Sequence, residues 1–243
     1  MMDVGAQVSA SLHALTREFD IIAHNLANAS TTAYKRRLHG FSQALDTQGG
    51  TSQGAGGGAS GSSEGFDFSQ GHLIETERSL DVALYGKGFF VIETPEGPLY
   101  TRHGVFRTNQ NGQIVDSEGR TVAGASGPLT IPPGASVTNM TVNETGQIYA
   151  DGANVGQFQV VDFLENENQL IAMGLGCYRA PKDVKPTDAE AAVVRQGCQE
   201  ASNVKMVDEL VSMIMVTRTY EANVKLVNVK KDTTSSVIGV AMG

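Results

Sequence analysis

The chain has 243 residues, of which 40% are hydrophobic and 18% are charged, so it is long enough for one or two domains with hydrophobic cores. Its net charge is −8, and its strongest basic run is Lys35–Arg37, which we interpret as a solvated loop face. This balance argues against a protein that binds nucleic acid mainly through phosphates, because such proteins carry a basic footprint. The 28 glycines and the absence of tryptophan favour short strands joined by many turns.

The N-terminal 30 residues carry an apolar seam that is typical of a helix. Apolar side chains recur at spacings of 4, 3, 4, 3 and 4, which is a period of about 3.5 residues. One helix cannot bury its own seam, so it needs a partner. We expect the helix to end near Asn28, because Asn28 and the run Ser30–Thr32 favour turns. The seam consists of Val8, Leu12, Leu15, Phe19, Ile22 and Leu26.

The middle of the chain is predicted to be a flexible stretch followed by a β-rich domain. Residues 46–65 consist mostly of glycine and small polar residues, which cannot pack and favour a flexible loop. From about residue 66 to 180, short apolar runs alternate with turn signals such as Gly86–Gly88 and Asn109–Gly112. Strands at intervals of roughly 8 to 12 residues predict an irregular barrel or a sandwich.

The C-terminal part returns to a helical pattern after a polar connection at 181–190. Its seam has the same heptad spacing, is interrupted by Thr217, and is widened by further apolar residues beside it. Ser202–Asn203 are predicted to cap the helix, with Asp208 and Glu209 in its early turns. The seam consists of Met206, Leu210, Met213, Tyr220, Val224 and Val227, and the residues beside it are Val207, Val211 and Ile214.

The sequence therefore predicts an α+β chain, in which a mainly-β central domain lies between N- and C-terminal helices that pair as a coiled coil. The predicted segments are the first helix (1–35), a linker with the glycine-rich loop (36–79), the β domain (80–180), and a connector with the second helix (181–243). The seams fit either a closed pair within one chain or contacts with other copies. The wide apolar band of the second helix favours assembly, and we predict that the residues of both seams are assembly contacts.

No pattern in the sequence supports catalysis. It lacks a GxSxG elbow, a P-loop, an HExxH motif and a GxGxxG opening, and its five histidines and scattered acids show no spacing that forces proximity. We therefore predict no catalytic, cofactor-binding or metal-ligating residue and no cofactor. Cys177 and Cys198 lack ligand spacing, and they fit either one disulfide or two isolated residues. No secretory signal and no apolar run of about 18 residues is found, so no membrane insertion is expected.

Motifs near both ends and in the middle resemble the flagellar rod and hook protein family. The resemblance rests on residues 17–41, on Gly86–Val91, on Tyr100–Phe106 and on two C-terminal runs, in the family's order and over nearly the whole chain. The family often has glycine where this chain has Ala33, a residue that would be strained if the position needs a positive φ. The matching motif residues are Asn25, Leu26, Ala27, Asn28, Tyr34, Lys35, Gln196, Gly197, Glu200, Ser202, Asn203, Val204, Arg218 and Glu221.

The resemblance implies a structural role in the flagellar basal body. The terminal helices would form an inner coiled-coil layer around an axial channel, and the β domain would form an outer layer. Copies would stack with other rod proteins into the shaft that crosses the periplasm, after passage through the flagellar export apparatus without a cleaved signal peptide. Ring proteins and peptidoglycan are further implied neighbours. The compact β region resembles the proximal rod type more than the distal rod type. The alternative is a β domain that serves as a binding module for cell-wall or ring components.

Overall fold

A computed structural model describes residues 4–38, 65–135, 137–189 and 191–241. These residues form two compact units, one helical and one rich in β-strands. The glycine-rich stretch lies outside the described residues, apart from Gly65. The helical unit comprises the described residues of 1–29, 37–64 and 204–243, and the β unit comprises 30–36 and the described residues of 65–203.

The helical unit consists of two helices that run antiparallel. Helix α1 spans Val4–Ala27 and helix α2 spans Met206–Ala241, and the two helices contact each other. Asn25 of α1 lies 3.4 Å from Glu209 of α2, and Ser11 lies 3.4 Å from Asn223. Ser11 precedes Asn25 by 14 residues in α1, whereas Asn223 follows Glu209 by 14 residues in α2. The two helices therefore run in opposite directions. The predicted terminal helices are confirmed, whereas their pairing as a coiled coil stays a prediction.

Helix α1 ends where the sequence predicts and α2 begins later than predicted. The Asn28 N–H bonds the carbonyls of His24 and Asn25, and its Nδ2 also donates to the His24 carbonyl, so Asn28 closes the last turn of α1. The predicted cap at Ser202–Asn203 is wrong. Helix α2 starts at Met206, and the Asn203 side chain is occupied by backbone groups of the β unit.

The strands are short, as the spacing of the turn signals predicts. They are β1 (Arg36–Leu38), β2 (Gly65–Asp67), β3 (Leu73–Glu75), β4 (Val82–Tyr85), β5 (Phe89–Ile92), β6 (Leu99–Thr101), β7 (Arg107–Thr108), β8 (Ile114–Val115), β9 (Ala123–Gly124), β10 (Gly127–Pro128), β11 (Met140–Val142), β12 (Gln147–Ala150), β13 (Ala153–Gln157), β14 (Val160–Asp162), β15 (Ile171–Gly174), β16 (Cys177–Arg179), β17 (Thr187–Asp188), β18 (Val193–Gln196) and β19 (Cys198–Glu200). Two 3₁₀ helices span Val137–Asn139 and Leu164–Gln169.

The largest sheet of the β unit has six strands in the order β15-β16-β6-β5-β14-β17, and every pair in it is antiparallel. Around it lie a three-stranded sheet, β11-β12-β13, and strand pairs that include β4 with β18, β3 with β19 and β7 with β8. The mostly-β central region is therefore confirmed. Its closure into a barrel or a sandwich stays a prediction.

Apolar cores cover both faces of the large sheet. Alternate residues of β5 point to opposite faces, so Phe89 and Val91 join one core while Phe90 and Ile92 join the other. One core contains the rings of Phe66, Phe68, Tyr100, Phe163 and Tyr178, and the other contains those of Phe106 and Phe158. A strand buried on both faces must be apolar throughout, which explains the uninterrupted run Phe89–Ile92.

The predicted turn at Asn109–Gly112 joins β7 and β8, and the Asn109 side chain accepts the N–H groups of Asn111 and Gln113. The predicted connection at 181–190 contains strand β17, and the residues after it, where the sequence predicts a return to helix, form strands β18 and β19 before α2 begins. Their pairing with distant strands was not visible in local periodicity. Val194, for example, lies opposite Leu84.

Gly104→Ala should destabilise the β unit, because an added Cβ would lie 1.7 Å from the Val82 carbonyl oxygen. Both residues belong to paired backbone, so neither can move freely, and we expect a loss of about 3 kcal/mol, the upper range for overpacking. Chemical denaturation of the purified chain measures it. Gly119→Ala meets no atom within 4 Å but has φ +80°, so this comparison variant measures left-handed strain, which Gly104 does not carry, without a steric clash. A loss for Gly104→Ala no larger than that for Gly119→Ala would contradict this close approach.

Candidate assembly and anchoring sites

Motif residues from distant parts of the β unit meet at a buried carboxylate. Glu200 of β19 is 1% exposed, and its Oε1 accepts the Lys35 ammonium at 2.7 Å and the Gly71 N–H at 3.0 Å. Its Oε2 lies 3.8 Å from the Arg102 guanidinium. The side chains of Lys35 and Glu200 are fully inaccessible to solvent, so the interpretation of Lys35–Arg37 as a solvated loop face is wrong for Lys35. We call Lys35, Arg102 and Glu200 the ion cluster.

The ion cluster holds two cations around one anion. Lys35 also donates to the Ser69 carbonyl at 2.7 Å, and Arg102 donates to the Gly86 carbonyl at 2.8 Å and lies over the Phe89 ring. Burial lowers the pKa of Lys35, and the Glu200 charge opposes that shift. Burial lowers the pKa of Arg102 in the same way, again against Glu200. Glu200 therefore stabilises both buried positive charges.

The side chain of Asn203 joins backbone segments of the β unit that are far apart in the sequence. Its Oδ1 accepts the Arg36 N–H at 2.8 Å, and its Nδ2 donates to the Asp67 carbonyl at 2.7 Å and the Ser69 carbonyl at 3.1 Å. Its own N–H donates to the Tyr34 carbonyl at 3.4 Å. The segments around residues 34–36, 67–69 and 203 are thus joined by one side chain, with Ser202 buried beside it.

Gln196 and Gly197 join strands at the other end of the same motif. Gln196 Nε2 donates to the carbonyls of Ser79 and Met140, and its Oε1 accepts the Val142 N–H. Gly197 has φ +69°, a conformation that favours glycine, and its N–H bonds the Asp81 carbonyl at 2.7 Å. These contacts explain why an amide and a glycine stand at these positions.

Ala33 has a positive φ, which is the case in which the sequence analysis expects strain at this position. Its φ is +55°, it is fully buried, and its N–H bonds the Glu200 carbonyl at 2.7 Å. A left-handed alanine is strained by roughly 1–2 kcal/mol. The backbone bond and the burial beside the ion cluster hold it there.

In the helical unit, Asn25 joins α1 to the chain beyond it. The side chain is fully buried, its Oδ1 accepts the Arg37 N–H at 2.9 Å, and its Nδ2 donates to the Arg37 carbonyl at 3.0 Å. The same Nδ2 lies 3.4 Å from the buried Glu209 carboxylate. A neutral aliphatic side chain could not satisfy these groups, and an unpaired buried polar group is costly.

The predicted seam of α1 is mostly shielded from solvent within a single chain. Ile22 is 5% exposed, whereas Phe19 is 40% exposed. The other seam residues, Val8, Leu12, Leu15 and Leu26, are half-buried. Among the motif residues of this end, Ala27 is exposed, and Asn28 and Tyr34 are half-buried.

The predicted seam of α2 is mostly exposed in the single chain. Met213 and Val224 are half-buried, whereas Met206, Leu210, Tyr220 and Val227 are 40–49% exposed. The motif residues Arg218 and Glu221 are also exposed, and Val204, just before the helix, is buried. Whether these residues form assembly contacts stays a prediction.

Three important residues escaped the sequence-based prediction of sites. Arg102 lies in the recognised run Tyr100–Phe106, but nothing local shows that it meets Glu200. Glu209 was predicted only as an acidic residue in the early turns of the second helix, and its partner Asn25 lies 184 residues away. Val216, 6% exposed, is a buried apolar residue of α2 outside the predicted seam.

Within the described part of the chain, no group of histidine, cysteine or acidic side chains could hold a metal ion. Neither described helix is long and apolar enough to cross a membrane. Of the two alternatives for the cysteines, the structure has the isolated one, since Cys177 is buried and free and Cys198 is half-buried and free.

Two family profiles match the chain. The profile described as "Flagellar hook protein FlgE/F/G D1 domain" matches residues 83–150, and "Flagellar basal body rod FlgEFG protein C-terminal" matches residues 195–240. The second match contains Glu200, Asn203 and most of α2, and the first contains Arg102.

Curated relatives match over nearly the full chain. The flagellar basal-body rod protein FlgG of Buchnera aphidicola (subsp. Schizaphis graminum) is 33% identical, over 86% of this chain and 88% of its own length. FlgG of Agrobacterium fabrum is 32% identical over 96% and 97% of the two chains. FlgF of Caulobacter vibrioides is 30% identical over 88% and 87%. All three names describe rod proteins and none describes an enzyme.

Glu200→Gln should destabilise the β unit more than Lys35→Met. The first change leaves two buried cations without an anion, and breaking a buried pair in this way costs about 3–5 kcal/mol. The second change leaves Glu200 with Arg102 and the Gly71 N–H, so we expect a loss of about 1–3 kcal/mol. Denaturant unfolding measures both, with the exposed Glu75→Gln as the matched control. The reverse order of the two losses would contradict the central role of Glu200.

His103→Asn should weaken the loss of stability on acidification. Burial lowers the pKa of His103, against the attraction of Asp116 and Asp81. The unfolded chain, with a histidine pKa of about 6.5, therefore binds the proton more readily, and stability falls as the pH drops below that value. We expect a smaller difference in unfolding midpoint between pH 7 and pH 5 for the variant than for the wild type. An unchanged difference would show that His103 does not contribute.

Proposed function

This chain belongs to the flagellar basal-body rod protein family and is a structural subunit of the rod, and we propose that it assembles through the face of α2 that a single chain leaves uncovered. The relatives indicate the flagellar basal body as its location and other rod components, including further copies, as its partners.

The observation that carries the proposal is that α2 is apolar on two opposite sides. At about 100° per residue, Val211 lies about 140° around the helix from the buried Val216. Along the Val211 side, large apolar side chains are exposed to solvent. Helices that are apolar all round are normally buried. The exposed residues are Val207 (71%), Val211 (47%), Ile214 (54%) and Met215 (65%).

The two alternatives from the sequence, a closed helix pair or contacts between copies, are compatible with each other. The seam of α1, with Ile22 buried and most of its members half-buried, contributes to the pair within one chain. The Val211 side of α2 remains for neighbouring copies. Contiguous apolar patches of this kind mark interaction sites on monomeric proteins. Burial of four such side chains in each copy would stabilise an assembly substantially.

Within this role we propose the proximal rod position, because of the compact β region, with the distal rod position as the alternative. We further propose that the chain reaches the rod through the flagellar export apparatus, and that the coiled-coil layer surrounds the axial channel. Contacts with ring proteins and peptidoglycan, or a β unit that binds cell-wall components, remain secondary predictions.

Val211→Asp should abolish rod assembly while leaving the isolated chain folded. Val211 is 47% exposed, so its replacement removes little packing within one chain, whereas a charge at an apolar contact between copies is costly. The variant would be tested for complementation of a deletion strain beside the matched control Asn228→Asp, which adds the same charge to α2 at an exposed polar position. Basal bodies would be counted by electron microscopy. Normal rods with Val211→Asp would contradict the proposed interface.

Deletion of the gene tests both the structural role of the protein and its position along the rod. We expect no complete rods and no motility, with both restored by the intact gene. Remnants that stop at the inner end of the rod would support the proximal position, whereas remnants that retain most of their length would support the distal one. Normal rods and full motility in the deletion strain would overturn the structural role.

A further inference from the structure

The Val211 side of α2 carries one side chain that a mild oxidant can change, Met215. Helix α2 contains three methionines, and only Met215 lies on this side, about 40° around the helix from Val211. Met206 and Met213 lie about 140° and 160° from Val211. Met215 is 65% exposed, and the other large apolar residues of this side are valine and isoleucine, whose hydrocarbon side chains peroxides do not oxidise.

The exposure of Met215 makes its thioether accessible to an oxidant dissolved in water. Hydrogen peroxide transfers one oxygen atom to a thioether: the sulfur lone pair forms the S–O bond, the O–O bond breaks, and the other oxygen leaves as water with both protons. The sulfur loses two electrons and the peroxide gains them. The product, methionine sulfoxide, is polar, and methionine sulfoxide reductases restore the thioether. Of the methionines that the structure describes, Met215 is the most exposed.

A sulfoxide at position 215 affects a free chain and an assembled chain differently. In the free chain the added oxygen reaches water, because the Met215 side chain is largely exposed, so the fold is retained. At a contact between copies the same oxygen would lose its water and lie among apolar side chains such as Val207 and Val211. Burial of a polar group without a hydrogen bond is costly, and sulfoxides disrupt interfaces that contain methionine for this reason.

We propose that Met215 is an oxidation site that regulates assembly, at which hydrogen peroxide converts the free chain into a sulfoxide form that does not enter the rod until it is reduced. This inference rests on the proposed function, because it concerns the same side of α2. It adds a chemical condition to assembly, namely that a chain enters the rod with Met215 reduced. A chain already in the rod has this side chain covered and is protected from the oxidant.

The first test measures whether Met215 reacts in the folded chain. The purified full chain would be treated with hydrogen peroxide, the reaction would be stopped with catalase, and oxygen addition to each methionine would be followed by peptide mass spectrometry. We expect oxidation of Met215 at least roughly tenfold faster than that of Met140, which is 3% exposed. Equal rates for the two methionines would overturn the inference.

The second test places a permanently polar side chain at the same position. Met215→Gln resembles the sulfoxide in length, in polarity and in its lack of charge, and Met173→Gln makes the same change at a 46% exposed methionine of the β unit. Both variants should keep the unfolding midpoint of the wild type, because neither loses a buried side chain. In the deletion strain, Met215→Gln should give at least roughly tenfold fewer complete rods than Met173→Gln, a factor that corresponds to about 1.4 kcal/mol. Equal rod numbers for the two variants would contradict the proposed effect of a polar group at position 215.

The third test separates oxidation from polarity. The deletion strain would carry the wild-type chain, Met215→Leu or Met173→Leu, and hydrogen peroxide would be added during rod assembly at a dose that leaves growth unchanged. Because every other component is the same in the three strains, a difference between them comes from the substituted methionine. The number of complete rods should fall at least roughly twofold further with the wild type and with Met173→Leu than with Met215→Leu. Equal falls in all three strains would overturn the inference, and Met215→Ile replaces Met215→Leu if leucine alone lowers the number of rods.

The outcomes separate this inference from the proposed function. If Val211→Asp assembles normal rods, the contact through this side of α2 fails, and the inference fails with it. If Val211→Asp abolishes rods while peroxide lowers their number equally with the wild type and with Met215→Leu, the helical contact stands and only its regulation by oxidation fails.

Discussion

The β unit depends on keeping two buried cations beside a single buried carboxylate. Lys35 follows α1, Arg102 follows β6, and Glu200 closes β19, so the ion cluster ties together parts of the sequence that are as much as 165 residues apart. Transfer of unpaired charges into an apolar interior is prohibitively costly, which means that the three residues must be buried together or not at all. The strained Ala33 and the hydrogen bonds of Asn203 lie close to the ion cluster.

In both units, polar side chains join segments that are far apart in the sequence, but the chemistry of the contacts differs. In the β unit, distant segments are joined by the ion cluster and by side-chain amides that bond backbone groups. In the helical unit, the junction is the fully buried Asn25, whose amide bonds both backbone groups of Arg37 and approaches Glu209. The apolar residues on the Val211 side of α2, by contrast, remain largely exposed in a single chain. A subunit of a rod leaves such surfaces for its neighbours.

Much of the fold could be predicted from local pattern. The heptad spacing predicted both helices, and the run Phe89–Ile92 and the Asn109–Gly112 turn predicted strands and a hairpin where they occur. Motif resemblance drew attention to Lys35, Glu200 and Asn203 but not to their mutual contact, since sequence spacing carries no information about pairing across 165 residues. The buried side of α2 was missed for another reason. When apolar residues lie on all sides of a helix, periodicity cannot say which side faces the partner, so Val216 was overlooked.

The placement of Glu200 and β19 so late in the sequence has a consequence for the order of folding. Any process that delivers the chain N-terminus first, ribosomal synthesis included, presents Lys35 and Arg102 long before their anion arrives, and α1 long before α2. Contacts across such long separations also form slowly. The buried ion cluster can therefore be completed only after residue 200 of 243 has been delivered.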